Sequence, residues 1–298
     1  MHSDQTRQED VGRRDFITGA AAGAVGGLIV AAAAATQATE TKTQSGLPAG
    51  RVRYRAMSTE TVQMRGHEDT VIDAYVARPS APDTYPGVVV IHHMPGWDEA
   101  MIEITRKFAH HGYAAICPNL HFREGKDTPE ANSASIRDSG GMPDNRTMGD
   151  VEGGIKYLRA QRYLNGKVGI VGYCSGGRQV YLAACTLRGI DAAIACYPGG
   201  VGAGSVGLTE RQPVDPLDYT KDLSCPLLGL FGREDKRPSP EHVAKMEAEL
   251  KKYGKTYAFY SYDNARHGFF SVGRLDFSEA AAREGWKRVF EWYEKYLH

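Results

Sequence analysis

The chain has 298 residues, 36 Lys+Arg against 36 Asp+Glu, 42% hydrophobic residues and 24% charged ones. This globular composition excludes a disordered chain, a collagen-like repeat and a polytopic membrane protein, and a formal net charge of zero argues against a nucleic-acid partner, which calls for a basic surplus. Five cysteines in so long a chain are too few for a disulfide scaffold.

One stretch departs from these averages. Residues 16–39 carry no charge and are dominated by alanine and glycine. They follow Arg13-Arg14-Asp15-Phe16-Ile17. Paired arginines, a modest apolar run and small residues at its end resemble a twin-arginine export signal, although Gly12 stands where Ser or Thr is commoner. Residues 1–38 are therefore expected to engage the twin-arginine machinery, to be cleaved near 35–38, and to deliver a folded protein to the periplasm or outside with no lasting membrane span. Folded export leaves the cysteines free to stay unpaired. An uncleaved anchor is the alternative, because residues 16–35 are long enough to span a bilayer. Against it, alanine and glycine insert weakly, and Leu28-Ile29-Val30 is the only strongly apolar cluster. Residues 39–50, with Gly46, Pro48 and Gly50, read as a linker, and residues 51–298 as the functional domain.

Residues 51–57, 60–65 and 72–78 alternate or carry β-branched side chains and predict an antiparallel opening. Residues 87–92 form a continuous apolar run bounded by Pro86 and Pro95, the pattern of a buried central strand. Met101, Ile104, Thr105 and Phe108 repeat at helical spacing. Strands are then expected at 113–117, 167–172, 192–197, 226–231 and 256–262, with helices at 148–161 and 176–187. A further helix is capped by Ser239, opened by Pro240 and stopped by Gly254. Trp286, Val289, Phe290, Tyr293 and Leu297 mark the final helix. Such alternation implies an α/β fold, a mostly parallel sheet with helices on both faces. Residues 119–147 and 198–223 do not fit it and read as functional or cap-like loops.

The sharpest motif is Lys167-Val168-Gly169-Ile170-Val171-Gly172-Tyr173-Cys174-Ser175-Gly176-Gly177, a strand running through Gly-x-Cys-x-Gly into a helix. This is the nucleophile-elbow pattern with cysteine in the usual serine position. Gly172 and Gly176 suit a turn too tight for side chains. Cys174 falls at a helix N-terminus, which favours thiolate, and the Ser175 N–H can stabilise an oxyanion. Ser175 is the rival nucleophile, but a pattern centred on it lacks the preceding glycine. Cys117, Cys185, Cys196 and Cys225 lie in apolar contexts and read as core.

An elbow nucleophile needs an acid and then a histidine further along the chain. Of ten histidines, His267 lies just after the last strand, where a loop returns to the sheet's C-terminal edge. Asp235 follows the strand at 226–231. Its neighbour Glu234 is the residue most easily confused with it, and Asp263 is too close to His267. Asp235 is expected to orient His267, whose other nitrogen takes the thiol proton. Trp97, Tyr173, Tyr197, Phe122 and Phe269 are candidate pocket walls. His92 and His93 invite a metal reading, but neighbours on a strand face opposite ways and no His-x-x-x-His or Cys-x-x-Cys pair completes a site. No metal or cofactor is expected.

From Pro86 onward the chain resembles the dienelactone hydrolase (carboxymethylenebutenolidase) family of α/β-hydrolases. The resemblance rests on Asn165–Gly169 running into Gly172–Gly177, on Gly112-Tyr113-Ala114-Ala115-Ile116-Cys117-Pro118-Asn119-Leu120, on Gly232–Asp235 and on His267-Gly268-Phe269. It implies a triad of Cys174, Asp235 and His267, a second oxyanion donor at the Met94 backbone, and an ester or lactone substrate. It also marks departures. His93 stands where the family's glutamate helps form the thiolate and is expected as a proton acceptor or substrate contact, though it cannot simply replace an anion; Ser271 stands where an arginine holds a substrate carboxylate, leaving Arg274, Arg137 and Arg123 as stand-ins. Two other classes remain: a thiol redox or peroxide-handling protein using Cys174, and a non-catalytic binding protein on the same fold. Substrate identity and oligomeric state are not encoded in any of these motifs.

Overall fold

Apolar parity along the strands builds the centre of the protein. In β3 (Tyr85–Ile91) every residue is buried. Val88 and Val90 enter one apolar layer, and Val89 and Ile91 the other, as the two-residue repeat of a strand requires. The same parity runs through β5 (Leu164–Tyr173), β6 (Ala192–Cys196) and β7 (Leu227–Gly232). Strands apolar on both faces need cover on both. Helices α1 (Glu99–His110) and α6 (Glu279–Leu297) supply buried residues to one layer. Helices α3 (Asp144–Arg159), α4 (Ser175–Thr186) and α5 (Pro240–Lys252) supply them to the other.

The computed structural model describes residues 56–125 and 128–298. The expected export segment, the linker and residues 51–55 lie outside the described residues. Eight strands form one sheet in the order β1-β2-β4-β3-β5-β6-β7-β8. In it β1 (Met57–Arg65), β2 (Val71–Pro79) and β4 (Ala114–Pro118) pair antiparallel. All remaining pairs are parallel, out to β8 (Tyr257–Tyr262) at the far edge. This is the α/β fold expected from the alternation. The parallel strands all end at one edge, so the loops after β3, β5, β7 and β8 meet there. Among the described residues, no helix is long and apolar enough to cross a membrane.

Two expectations need correction. Residues 57–65 form one continuous strand instead of two short ones, because Ser58 and Thr59 stay in register with Arg78 and Ala77. The supposed loop at 119–147 contains a helix, α2 (Pro129–Asp138), and the start of α3 at Asp144. The Thr128 hydroxyl caps α2 by accepting the Ala131 N–H at 3.3 Å, and Pro129 opens it. Ile136 is its one large buried apolar residue, so no hydrophobic period marks it in the sequence.

Candidate active site

The loop after β5 is a single residue. β5 ends at Tyr173, α4 begins at Ser175, and Cys174 between them takes φ 57°, ψ −117°. For a residue with a side chain such a backbone costs on the order of 1–3 kcal/mol and persists only where its surroundings hold it. The Cys174 N–H donates to Cys196 O at 3.1 Å, and its carbonyl accepts the N–H of Arg178 at 3.2 Å. A side chain at Gly172 would strike the Gly176 carbonyl, and one at Gly176 the Ile91 carbonyl. The turn therefore closes only with glycine at both places.

Asp235 lies in the turn after β7 and is buried. Its Oδ1 accepts the Arg237 N–H at 2.8 Å, and its Oδ2 lies 2.8 Å from His267 Nδ1. With Nδ1 held there, the other ring nitrogen of His267 is left for the hydrogen bond with Cys174. Tyr197 packs edge-on against the imidazole, 5.1 Å between centroids.

The electrostatics separate Cys174 from the other cysteines. Burial pushes the thiols of Cys117, Cys185, Cys196 and Cys225 up. Burial opposes ionisation of Cys174 too, but the hydrogen bond and charge of His267 outweigh it, aided by the backbone N–H groups of Ser175 and Met94, and its thiol ends below the ordinary value. For His267, burial again works against the charged form. The Asp235 carboxylate and the Cys174 sulfur prevail and raise it to about 10. The pair thus favours thiolate with imidazolium, and both N–H donors already converge on the sulfur.

Cys174 and His267 open into a cavity of about 950 Å³. Part of its wall comes from the two segments that break the alternation: Arg137 at the end of α2 with Gly140 and Gly141 after it, and Gly199, Gly207, Thr209 and Gln212 from the loop after β6. The segments clasp each other over the site. Thr209 Oγ1 donates to Gly140 O at 2.6 Å, Gln212 Nε2 to Met142 O at 3.2 Å, and the Asp144 N–H to Arg211 O at 2.9 Å. Buried Arg178, on α4, locks the clasp to the elbow by pairing with Asp144 and donating to Val214 O at 2.7 Å.

Comparison with known proteins gives the family. The family model described as "Dienelactone hydrolase family" matches residues 72–297. The chain belongs to the dienelactone hydrolase family. A Methylorubrum extorquens protein named "Putative carboxymethylenebutenolidase" is 30% identical, over 77% of this chain and 78% of its own length. One of the same name from Salmonella typhimurium is 32% identical, over 75% and 82%. A Klebsiella pneumoniae crystal structure described as a "Putative Dienelactone Hydrolase" superposes with a TM-score of 0.74 at 28% identity, covering 81% of this chain and all of that one. The chain is accordingly a hydrolase of the kind that acts on carboxylic esters and lactones.

Within this dienelactone hydrolase frame, several residues expected around the substrate lie elsewhere. Strand parity sends Tyr173 into the α1/α6 layer, where it is 1% exposed. Phe269 is fully buried in that layer, and Tyr197 packs against His267 instead of lining the cavity. The Trp97 indole donates to Cys117 O at 2.9 Å and packs on the core, and Phe122 is exposed to solvent and does not line the cavity. His93, expected at the place of the family's glutamate, is turned to Asp98, with Nε2 and Oδ2 2.8 Å apart. That carboxylate also caps α1 through the Met101 N–H. His92 is engaged as well: Nδ1 donates to His93 O at 2.9 Å and Nε2 accepts the Leu120 N–H at 3.1 Å, while burial lowers its pKa to about 4. Met94, between these anchors and the cavity, lines the site.

Among the stand-in arginines, Arg123 is committed to Asp150 at 2.7 and 3.0 Å, Arg274 is not on the cavity wall, and Arg137 is. Sequence reasoning missed Arg178, Lys236 and Arg237, which also line the cavity. Their proximity to Ser175 and Asp235 was the available signal.

Proposed function

We propose that this protein hydrolyses a carboxylic ester or lactone through a Cys174–His267–Asp235 triad. One observation carries the reading: Cys174 is the one cysteine of the five whose thiol is pulled down, and it lines the cavity hydrogen-bonded to His267.

The thiolate attacks the carbonyl carbon. A C–S bond forms and the carbonyl electron pair moves to oxygen, where the Ser175 and Met94 N–H groups receive the negative charge. The pair then returns and the C–O bond breaks. His267 gives its proton to the departing alkoxide, which stays tethered in the same molecule if the substrate is a lactone. Neutral His267 next takes a proton from water, whose oxygen attacks the thioester, and the acid product leaves as Cys174 regains its electrons. Asp235 keeps the Nδ1 proton in place throughout. Arg137 and Arg237 give the cavity a cationic side and favour a substrate that carries its own carboxylate.

The test is a panel of p-nitrophenyl acetate, simple lactones and dienelactone. Wild type turns over at least one of them, and Cys174→Ala falls to the buffer rate. Equal rates in the two proteins would sink the mechanism.

Export is part of the same proposal and rests on Arg13-Arg14-Asp15-Phe16-Ile17 and the charge-free run behind it. The mature enzyme then works in the periplasm or outside the cell. Replacing both arginines by lysine should leave the protein in the cytoplasm. Unchanged fractionation of that double variant argues against the route.

A further inference from the structure

A second cavity, of about 760 Å³, lies between α1, α6 and the turn at 270–272. It shares no lining residue with the active-site cavity. Ile104, Phe270 and Trp286 give it apolar walls, and Val272, 78% exposed, stands at its rim. The Trp286 ring is fixed, edge-on to Phe270 at 5.2 Å and stacked with Phe290 at 5.6 Å.

One cation enters this apolar space. The Lys107 ammonium lies 4.6 Å from the centroid of the Trp286 ring, an attraction that partly offsets lost hydration. Among the described residues no carboxylate is within ion-pair distance of it, and burial pushes its pKa down. The acids on the wall are already engaged: Glu99 and Glu103 both pair with Arg106. His111 is no substitute cation. Its Nδ1 donates to Lys107 O at 2.8 Å, its ring stacks on Phe290 at 3.8 Å, and burial lowers its pKa. A half-desolvated ammonium beside aromatic walls, without a counter-ion, matches an anion attached to an apolar body.

We propose that this cavity binds a small monocarboxylate with a flat apolar body, the body against Phe270, Ile104 and Val272 and the carboxylate on Lys107. The site is independent of the triad, so hydrolysis neither requires nor disproves it. It is tested by titrating the full chain with phenylacetate while following tryptophan fluorescence, with 2-phenylethanol as the uncharged control. Phenylacetate should saturate with a Kd on the order of 1 mM. The alcohol and the Lys107→Gln variant should each bind at least roughly tenfold more weakly, the loss expected for a hydrogen bond to a charged group. Lys107→Arg should retain binding, and Trp286→Phe should abolish the signal. Arg237→Gln, which alters only the active-site cavity, should change nothing. Equal affinity in Lys107→Gln and wild type, binding lost on Arg237→Gln, or no saturation by about 10 mM would each overturn the proposal.

Discussion

Replacing Asp235 by Asn preserves the shape of the side chain and removes its charge. In the native arrangement Oδ1 accepts the Arg237 N–H at 2.8 Å and Oδ2 faces His267 Nδ1 at 2.8 Å. An amide has a single acceptor, and the Arg237 N–H, fixed by the backbone, occupies it. The NH2 group then faces Nδ1, which must become an acceptor, so the ring proton moves to the other nitrogen. That nitrogen can no longer take a proton from Cys174. The carboxylate that helps raise the His267 pKa to about 10 is lost at the same time. In serine hydrolases this exchange costs roughly 10⁴ in turnover, about 5.5 kcal/mol. A thiol ionises far more readily than a hydroxyl and depends less on the base. The expected loss here is therefore about 10²–10³ in kcat/KM, or about 3–4 kcal/mol. The assay is hydrolysis of p-nitrophenyl acetate by both proteins, with circular dichroism showing that the variant is folded. A folded Asp235→Asn enzyme keeping more than about a tenth of wild-type kcat/KM would refute the tautomer argument.

The pH profile follows from the same pair. The leaving group needs the imidazolium form, which is present below the raised pKa of His267 and lost as pH rises through about 10, so hydrolysis should decline there. Alkylation of Cys174 by iodoacetamide should rise with pH and level off below the ordinary thiol value of 9.0, and a midpoint at or above it would contradict the ion-pair assignment. Arg178→Leu leaves Asp144 buried without its cation and should cost about 3–5 kcal/mol in urea unfolding; a loss below about 1 kcal/mol would mean that the clasp is not held there. Arg137→Gln together with Arg237→Gln should raise KM for carboxylate-bearing lactones roughly tenfold and leave p-nitrophenyl acetate unchanged. An equal effect on both substrates would remove the specificity argument.

Strand parity, the Gly-x-Cys-x-Gly turn and the order cysteine, acid, histidine are local or ordered properties of the chain. The sequence by itself therefore determined the α/β class, most elements, and the residues to look for at Cys174, Asp235 and His267. Residues 93, 173 and 269 show where that legibility ends. A strand or loop residue next to a functional one has an even chance of facing away from it, and the choice is made by packing across elements. Tyr173 went to the α1/α6 core because its strand parity pointed there, Phe269 packed into the same layer from the turn after β8, and His93 went to Asp98, the carboxylate that caps the following helix. Helix α2 left no periodic trace because Ile136 is its only large buried apolar residue. The cavity walls, which put Arg137 and Cys174 on one cavity, depend on two segments clasped by hydrogen bonds about 70 residues apart in the chain. Contacts of that span have no local spacing to betray them, so only the tertiary structure decided what surrounds the nucleophile.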